Sequence, residues 1–167
     1  MMFRHLRLAG FKSFADTAEL DIEPGLTGIV GPNGCGKSNI VEALRWVMGE
    51  TSAKQMRSNE MDDVIFSGTS SKAARNLAEI SLILDNEQKN APSEYNDKDE
   101  IEIARKIIRG KGTNYRINNT PARARDVQLL FADSATGARS AGIVSQGRIG
   151  AIIGAKPDER RTLLEEA

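Results

Sequence analysis

Residues 31–38 read GPNGCGKS and match the pattern G-x-x-x-x-G-K-[ST]. Glycines in such a loop carry no side chains, so backbone N–H groups can wrap closely around a chain of phosphates. The spacing places Lys37 to reach the β and γ phosphates, and Ser38 to hold magnesium at the start of the following helix. This stretch therefore predicts a phosphate-binding loop and, with it, a nucleotide.

The sequence on either side of the loop has the character that the motif requires. Residues 26–30 form a short apolar run, which predicts a strand leading into the loop. After the loop, apolar residues recur at helical spacing as far as Met48, and Gly49 follows where a helix C-terminus favours glycine. Strand, glycine loop and helix together predict an α/β fold of the P-loop NTPase class.

The rest of the chain is dominated by predicted antiparallel strands. Alternating or β-rich runs predict strands at 3–8, 18–22, 77–84, 101–108 and 115–117. Residues 86–100 lack periodicity and are polar, which predicts a long exposed connection. Further along, the pattern predicts a short helix around Val127 to Phe131, a buried strand at 143–144 and a helix from Pro157 that continues to Ala167 without a stop signal.

The composition is that of a globular protein in a reducing compartment. Hydrophobic residues make up 40% and charged residues 28% of the 167, and no apolar run approaches the roughly 20 residues that span a bilayer. The N-terminus lacks the apolar core of a signal peptide, and the single cysteine, Cys35, cannot form an internal disulfide. We therefore expect a cytoplasmic protein that does not enter a membrane.

The net charge is zero, but the charges are segregated along the chain. Residues 85–102 contain seven acids and two bases, whereas residues 105–125 contain seven bases and no acid. The basic stretch is compatible with a solvated face of the sheet. It is equally compatible with a contact to a nucleic-acid backbone, because clustered Lys and Arg release counterions from phosphates.

Hydrolysis of a nucleotide needs a carboxylate to hold magnesium and a residue to position the attacking water. The candidate acid is Asp85, which follows the apolar run ISLIL. A strand parallel to residues 26–30 would make the chain a self-contained NTPase or phosphotransferase. In an antiparallel meander Asp85 would only open an exposed loop. Residues 50–76 show no long helix for a parallel crossover, which favours the meander.

Several stretches together resemble the N-terminal head portion of bacterial SMC (structural maintenance of chromosomes) proteins. They are GFKSFAD (10–16), GPNGCGKSNIVEALRWVMGE (31–50), MDDVIFSGT (61–69), INNTPARARD (117–126), VSQGRIGAII (144–153) and KPDERRTLLEEA (156–167). The resemblance covers nearly the whole chain in order. It implies an ABC-type ATPase head whose N-terminal half occupies residues 1–155, with an antiparallel β-subdomain at about 77–118, and the start of a coiled-coil helix at 156–167.

The resemblance also implies which residues hold ATP and Mg²⁺. The implied ATP-binding residues are Lys12, Ser13, Gly31, Pro32, Asn33, Gly34, Cys35, Gly36, Lys37, Ser38, Asn39, Arg57, Asp63, Val64 and Ile65. Ser38 and the glutamine of the Q-loop, Gln146, are the implied magnesium ligands. Arg123 and Arg125 match positions that face DNA, although Glu60 stands where some relatives have a lysine on that surface.

The function implied is the ATP·Mg-binding half of an SMC head that drives DNA binding and chromosome condensation and segregation. The Walker B acid, the catalytic glutamate and the signature motif are implied to lie in the C-terminal half of the head, so this half alone is expected to be inactive. The implied partners are that C-terminal half, a second head in a homodimer, a kleisin, accessory subunits and double-stranded DNA. The alternatives are the self-contained NTPase that uses Asp85 and a DNA-binding module built on the basic stretch.

Overall fold

The computed structural model describes residues 1–132. The strands are β1 Met2–Ala9, β2 Ala18–Asp21, β3 Leu77–Asp85, β4 Glu100–Ile108, β5 Gly112–Ile117 and β6 Thr120–Ala122. The helices are α1 Lys37–Val47 and α2 Ala124–Ala132, and two short 3₁₀ turns lie at Lys54–Met56 and Met61–Val64. The predicted strands and both helices up to residue 132 are confirmed, apart from the one at 26–30.

The six strands of residues 1–132 form one sheet in the order β2-β1-β3-β4-β5-β6, and every neighbouring pair is antiparallel. The predicted subdomain at 77–118 supplies β3 to β5, and the same sheet continues through β1 and β2 on one side and β6 on the other. Because β3 pairs antiparallel with both β1 and β4, Asp85 lies in the meander that the sequence favours.

Buried and more exposed residues alternate along the strands, so one face of the sheet is covered. In β3, the buried side chains are Ala78, Ile80, Leu82 and Leu84, and the residues between them are more exposed. Helix α1 packs on this face against β3 and β4, and α2 packs against β5. The apolar stripe of α1 and the Val127–Phe131 stripe of α2 therefore close one hydrophobic core.

A further strand, β6, is not predicted by the sequence analysis. It pairs with β5 through a turn in which Asn118 and Asn119 have φ angles of 46° and 67°. Two consecutive positive φ angles define the tight hairpin turn that matches strand twist, and asparagine is among the residues that tolerate it. The Asn-Asn pair was therefore a usable signal for this hairpin.

The prediction of a strand at residues 26–30 is wrong for the chain as it folds here. These residues are in no strand, and Leu26 and Val30 are 99% and 94% exposed. A strand exists through hydrogen bonds to a neighbour, and no strand within residues 1–132 lies beside this segment. Apolar composition indicated a buried strand, but composition alone does not supply a pairing partner.

Some predictions fall outside the described residues, namely the strand at 143–144, Gln146 and the helix from Pro157. Within residues 1–132, neither helix has the length and apolar character needed to cross a membrane.

Candidate phosphate-binding site

The phosphate-binding loop reaches helix α1 through glycines in conformations that other residues avoid. Gly34 and Gly36 have φ angles of 82° and 99°, and Gly36 is the N-cap of α1 without a side-chain cap. A Cβ atom at Gly36 would lie 2.5 Å from Ser13 Oγ. The close approach of the 10–16 loop to the start of α1 therefore requires glycine at this position.

Lys37 lies over the backbone of its own loop. Its Nζ donates hydrogen bonds of 2.6 Å to the carbonyl oxygens of Gly31 and Pro32, and it lies 3.7 Å from Cys35 Sγ. Residues 31–35 and Ser38 are exposed. The ammonium group and the hydroxyl of Ser38 thus stand at the uncapped N-terminus of α1, where the helix dipole favours an anion.

Beside the loop, an open depression of about 550 Å³ gathers residues from distant parts of the sequence. Its lining residues are Lys12, Ser13, Asn39, Lys54, Arg57, Ser58, Asn59, Asp63, Ile65 and Ser67. Six of these are ATP-binding residues implied by the sequence resemblance: Lys12, Ser13, Asn39, Arg57, Asp63 and Ile65. Lys54, Ser58, Asn59 and Ser67 were not predicted, and their polar types in a loop carry no specific signal.

Backbone hydrogen bonds hold the two loops that form this depression together. Lys12 N donates to Val64 O at 2.7 Å, and Phe66 N donates to Gly10 O at 2.8 Å. Asn39 Nδ2 donates to Ser13 Oγ at 2.9 Å, which joins the first turn of α1 to the same loops. Residues 10–14, 36–39 and 64–66 therefore form one connected wall.

The acids near the depression are engaged in local structure. Asp63 Oδ2 accepts hydrogen bonds from the backbone N–H groups of Asn59 and Glu60, at 3.0 and 2.9 Å. Glu60 caps the same 3₁₀ turn reciprocally. Val64 is fully buried in the core, so only its backbone is available to a ligand. Of the three residues implied to lie near adenine, Asp63 and Ile65 line the depression.

The sequence analysis did not single out Glu42, an acid on α1 that binds two of the implied ATP-binding residues. Its side chain is 7% exposed, and its two carboxylate oxygens accept hydrogen bonds from Lys12 Nζ and Arg57 Nε. The available signal was its spacing: Glu42 lies four residues before buried Trp46, so an acid interrupts the apolar side of an amphipathic helix.

The C-terminal end of α1 is anchored to the sheet by Arg105 of β4. Its guanidinium carbon lies 4.2 Å from the ring centroid of Trp46 and 4.6 Å from that of Tyr115. Its Nη1 donates to the carbonyl oxygens of Trp46 and Glu50, each at 2.6 Å. These carbonyls lie at the end of α1, where a cation also interacts favourably with the helix dipole.

Burial shifts the pKa values of the two ionisable side chains at this anchor, Arg105 and Tyr115. Burial lowers the pKa of Arg105 to about 10, against the opposing attraction of Glu50. Burial raises the pKa of Tyr115 to about 12, although the nearby Arg105 charge acts in the opposite direction. Arg105 thus remains a cation at neutral pH, enclosed by aromatic rings.

The basic stretch is accordingly not a uniform charged surface. Arg105, its first residue, is 1% exposed and belongs to the core. Arg123 and Arg125 are exposed at the start of α2, and the backbone N–H of Arg123 donates to Asp126 at 2.8 Å. The structure therefore leaves these two arginines at the surface, with an acid beside them.

Asp85 does not line the depression beside the phosphate-binding loop. Its carboxylate accepts a hydrogen bond of 2.9 Å from the backbone N–H of Glu87. It lines a separate depression formed by residues 1–4, 21–25, 85 and 87, which shares no residue with the depression beside α1. The alternative in which Asp85 completes a self-contained NTPase site is thus not supported by the fold.

A family model described as the RecF/RecN/SMC N terminal domain matches residues 2–139. The chain belongs to this family.

Relatives within the family identify which part of an SMC protein the chain corresponds to. It is 59% identical to a "Chromosome partition protein Smc" of Rhodopseudomonas palustris and 56% identical to one of Cereibacter sphaeroides, over 100% of this chain and 14% of each of those proteins. The chain thus spans about 14% of the length of these curated relatives. It is the N-terminal portion of an SMC head.

Solved structures agree with this placement. One, described as "Structural biochemistry of ATP-driven dimerization and DNA stimulated activation of SMC ATPases", is 32% identical with a TM-score of 0.90, and the match covers 99% of both chains. Another is the Smc head domain of Pyrococcus furiosus bound to the C-terminal domain of ScpA. It is 33% identical with a TM-score of 0.87 over 97% of this chain and 40% of that one. The expected fold class, the N-terminal lobe of an ABC-type head, is therefore confirmed.

The residues present fit a magnesium nucleotide chemically. Positive-φ glycines keep side chains away from the loop, and Lys37 and Arg57 offer cations to phosphates. Ser38 offers a hydroxyl oxygen, which is a ligand type that magnesium accepts while retaining waters and phosphate oxygens.

Proposed function

We propose that this chain is the ATP·Mg²⁺-holding half of an SMC head. The observation that carries the proposal is the meeting of the phosphate-binding loop, the 10–14 loop and Arg57 at one end of α1. Lys37 and Arg57 would bind the phosphates, Ser38 and Gln146 would hold the metal ion, and Asp63 and Ile65 would lie beside the base. Bound Mg²⁺ would neutralise phosphate charge, while the chain's own contribution is to hold and orient the phosphates.

The exposed segment at residues 26–30 supports the view that this half is completed by other residues. Leu26 and Val30 are almost fully exposed, which is unfavourable for large apolar side chains. We propose that the C-terminal half of the head pairs with this segment and supplies the acids for hydrolysis. A second head would then close over the nucleotide, and a kleisin of the ScpA type and accessory subunits would join the assembly.

The test uses the full-length protein and measures its ATP affinity by equilibrium titration. Lys37→Ala is expected to weaken ATP binding by about 10- to 100-fold, because it removes a charge-assisted contact to phosphate. Lys111→Ala, in the exposed turn between β4 and β5, is the matched control and should leave the affinity unchanged. Equal affinities of wild type and Lys37→Ala would contradict the proposal.

Turnover provides a separate check on the division between the two halves. Residues 1–167 alone are expected to bind ATP weakly and to hydrolyse almost none, whereas the full-length protein should hydrolyse it. Lys37-dependent turnover by residues 1–167 at the rate of the full-length protein would show that the acids for hydrolysis lie within this half.

We also propose that Arg123 and Arg125 contact DNA during chromosome partition in the bacterial cytoplasm. Their exposure at the start of α2 supports this, since phosphate contacts need accessible cations. Replacing both by Glu should weaken DNA binding by the full-length protein at low salt while leaving ATP affinity unchanged. DNA affinity that does not respond to this charge reversal would remove these residues from the interface.

A further inference from the structure

Glu42 occupies an unusual position for an acid, on the side of α1 that faces the protein interior. Its side chain is 7% exposed, while its neighbours Ala43 and Trp46 are fully buried. A carboxylate at such a position is unfavourable unless both of its oxygens find hydrogen-bond donors. The partners that Glu42 finds are therefore part of what keeps this region folded.

The partners of Glu42 are cations from two different loops. Oε2 accepts from Lys12 Nζ, in the loop after β1, and Oε1 accepts from Arg57 Nε, directly after the first 3₁₀ turn. Lys12 Nζ also donates to the carbonyl oxygen of Met56, the residue that precedes Arg57. One side chain on α1 thus ties both loops to the helix that carries the phosphate-binding loop.

Both cations adopt a backbone conformation that is rare for residues with a Cβ atom. The φ angles of Lys12 and Arg57 are 46° and 51°. Left-handed backbone at non-glycine residues persists only where neighbouring contacts offset its cost, and such residues concentrate at functional sites. The hydrogen bonds to Glu42 are contacts of this kind.

The two cations differ in what they can offer to a ligand. The Lys12 side chain is 13% exposed and its ammonium already has two acceptors. The Arg57 side chain is 60% exposed and is held through Nε. Among the hydrogen bonds of residues 1–132, none involves the terminal nitrogens of Arg57, and these are the atoms that bind phosphate as a fork.

We propose that Glu42 is the positioning residue that sets Arg57 over the depression, and that Lys12 acts through Glu42 and Met56 without touching the nucleotide. This inference rests on the proposed nucleotide-binding function. It assigns the phosphate contact at this wall to Arg57 alone, and gives the buried Lys12–Glu42 pair the task of holding that arginine in its left-handed conformation.

The test is a double-mutant cycle on the full-length protein, with ATP and adenosine as the titrated ligands. Arg57→Ala, Glu42→Gln and Lys12→Met are each expected to weaken ATP binding by about tenfold or more, since each removes or misplaces one charge-assisted contact. Adenosine affinity should stay unchanged in all three. In an Arg57→Ala background, Glu42→Gln and Lys12→Met should have no further effect, because a positioning residue acts only through the residue that it positions.

The outcomes separate this inference from the function on which it rests. A further tenfold loss of ATP affinity from Lys12→Met in the Arg57→Ala background would mean that Lys12 touches the ligand, and would overturn the proposal. Wild-type ATP affinity in Glu42→Gln, together with a loss in Arg57→Ala, would also overturn it while leaving nucleotide binding intact. An ATP affinity that is unchanged by Lys37→Ala would contradict the proposed function itself.

A second variant, Glu42→Asp, keeps the test valid if Glu42→Gln fails to fold. Glu42→Asp keeps the charge but is one methylene shorter, so it cannot reach Lys12 and Arg57 together. It should weaken ATP binding in the same direction and leave adenosine binding unchanged. Wild-type ATP affinity in Glu42→Asp would count against the proposal. Glu79→Gln, at a half-buried acid on β3 that pairs with Lys106, is the matched control and should behave as wild type.

Discussion

The two ends of helix α1 have contrasting surroundings. At the C-terminal end, Arg105 is enclosed by Trp46 and Tyr115, and its guanidinium satisfies the carbonyl oxygens that end the helix. At the N-terminal end, Gly36 leaves the helix without a side-chain cap, and the preceding residues are exposed. The protein thus satisfies one end of the helix by itself and leaves the other end available to a ligand.

The same contrast separates the sheet from the segment that precedes the loop. Leu82 on β3 is fully buried, whereas Leu26 is 99% exposed, although both are leucines in apolar runs. A strand within a sheet of six has neighbours on both sides, and residues 26–30 have none in the described part of the chain. Within residues 1–132, β3 is thus paired on both sides and covered, whereas residues 26–30 have exposed apolar side chains and no strand partner.

The largest expected effect comes from removing Arg105, which anchors the C-terminal end of α1. Arg105→Ala should lower the free energy of unfolding by about 3–5 kcal/mol, because it opens a cavity and removes the hydrogen bonds that Arg105 donates to the carbonyl oxygens of Trp46 and Glu50. Urea denaturation of residues 1–167 measures this loss. Arg116→Ala on β5, an exposed arginine in the same basic stretch, is the control and should change stability by less than about 0.5 kcal/mol. Similar losses for the two variants would show that Arg105 is not an anchor.

Truncating one leucine in the sheet and one in residues 26–30 tests how differently the two regions contribute to stability. Leu82→Ala should lower the free energy of unfolding by about 2–5 kcal/mol, the usual cost of truncating a buried leucine. Leu26→Ala should change it by less than about 0.5 kcal/mol in residues 1–167, because that side chain packs against nothing that the substitution would disrupt. A large loss from Leu26→Ala would mean that this segment is buried in solution.

The smallest expected effect at neutral pH concerns Tyr115, whose buried hydroxyl has no hydrogen-bond partner within residues 1–132. Tyr115→Phe should change stability by less than about 0.5 kcal/mol at pH 7, since it removes an unsatisfied polar group and keeps the ring beneath Arg105. The pKa of Tyr115 is raised to about 12. The contribution of this neutral side chain to the free energy of unfolding is therefore complete below pH 10 and is lost as the pH rises through 12.

This pH dependence gives the Tyr115→Phe comparison a definite sign. Between pH 10 and 12 the wild type should lose on the order of 2 kcal/mol relative to Tyr115→Phe, because over that range Tyr115 ionises in the unfolded chain and stays neutral in the folded protein. Denaturation curves of both proteins at pH 9 and 11.5 measure the difference. A constant difference across that range would show that the Tyr115 hydroxyl is not buried.

Most of the sheet could be predicted from the sequence because its signals are local. Alternation in β3 and β4 reflects one covered and one exposed face, and the apolar spacing of α1 reflects packing on that face. The hairpin from β5 to β6 had a local signal as well, in Asn118 and Asn119. Hydrophobic periodicity and turn chemistry are properties of short stretches, so one sequence suffices to read them.

The features that were predicted wrongly or not predicted have a different origin. Each of them depends on residues that lie far away in the sequence. Residues 26–30 have the composition of a strand but no strand neighbour within residues 1–132, and Arg105 is of a residue type usually found at the surface but lies beneath α1. Glu42, Lys12 and Arg57 belong to different stretches, and no spacing rule joins them. Their shared hydrogen bonds follow from how the loops cross the end of α1.

Residue types at short, fixed spacings were enough to predict the phosphate-binding loop and to favour the antiparallel meander, and six stretches along the chain were enough for the resemblance to SMC heads. Which charges are buried, which cations bind Glu42, and that residues 26–30 have no strand partner within residues 1–132 could be learned from the folded structure alone. Burial and hydrogen bonding depend on distances between residues that the chain separates widely, and only the folded backbone sets those distances.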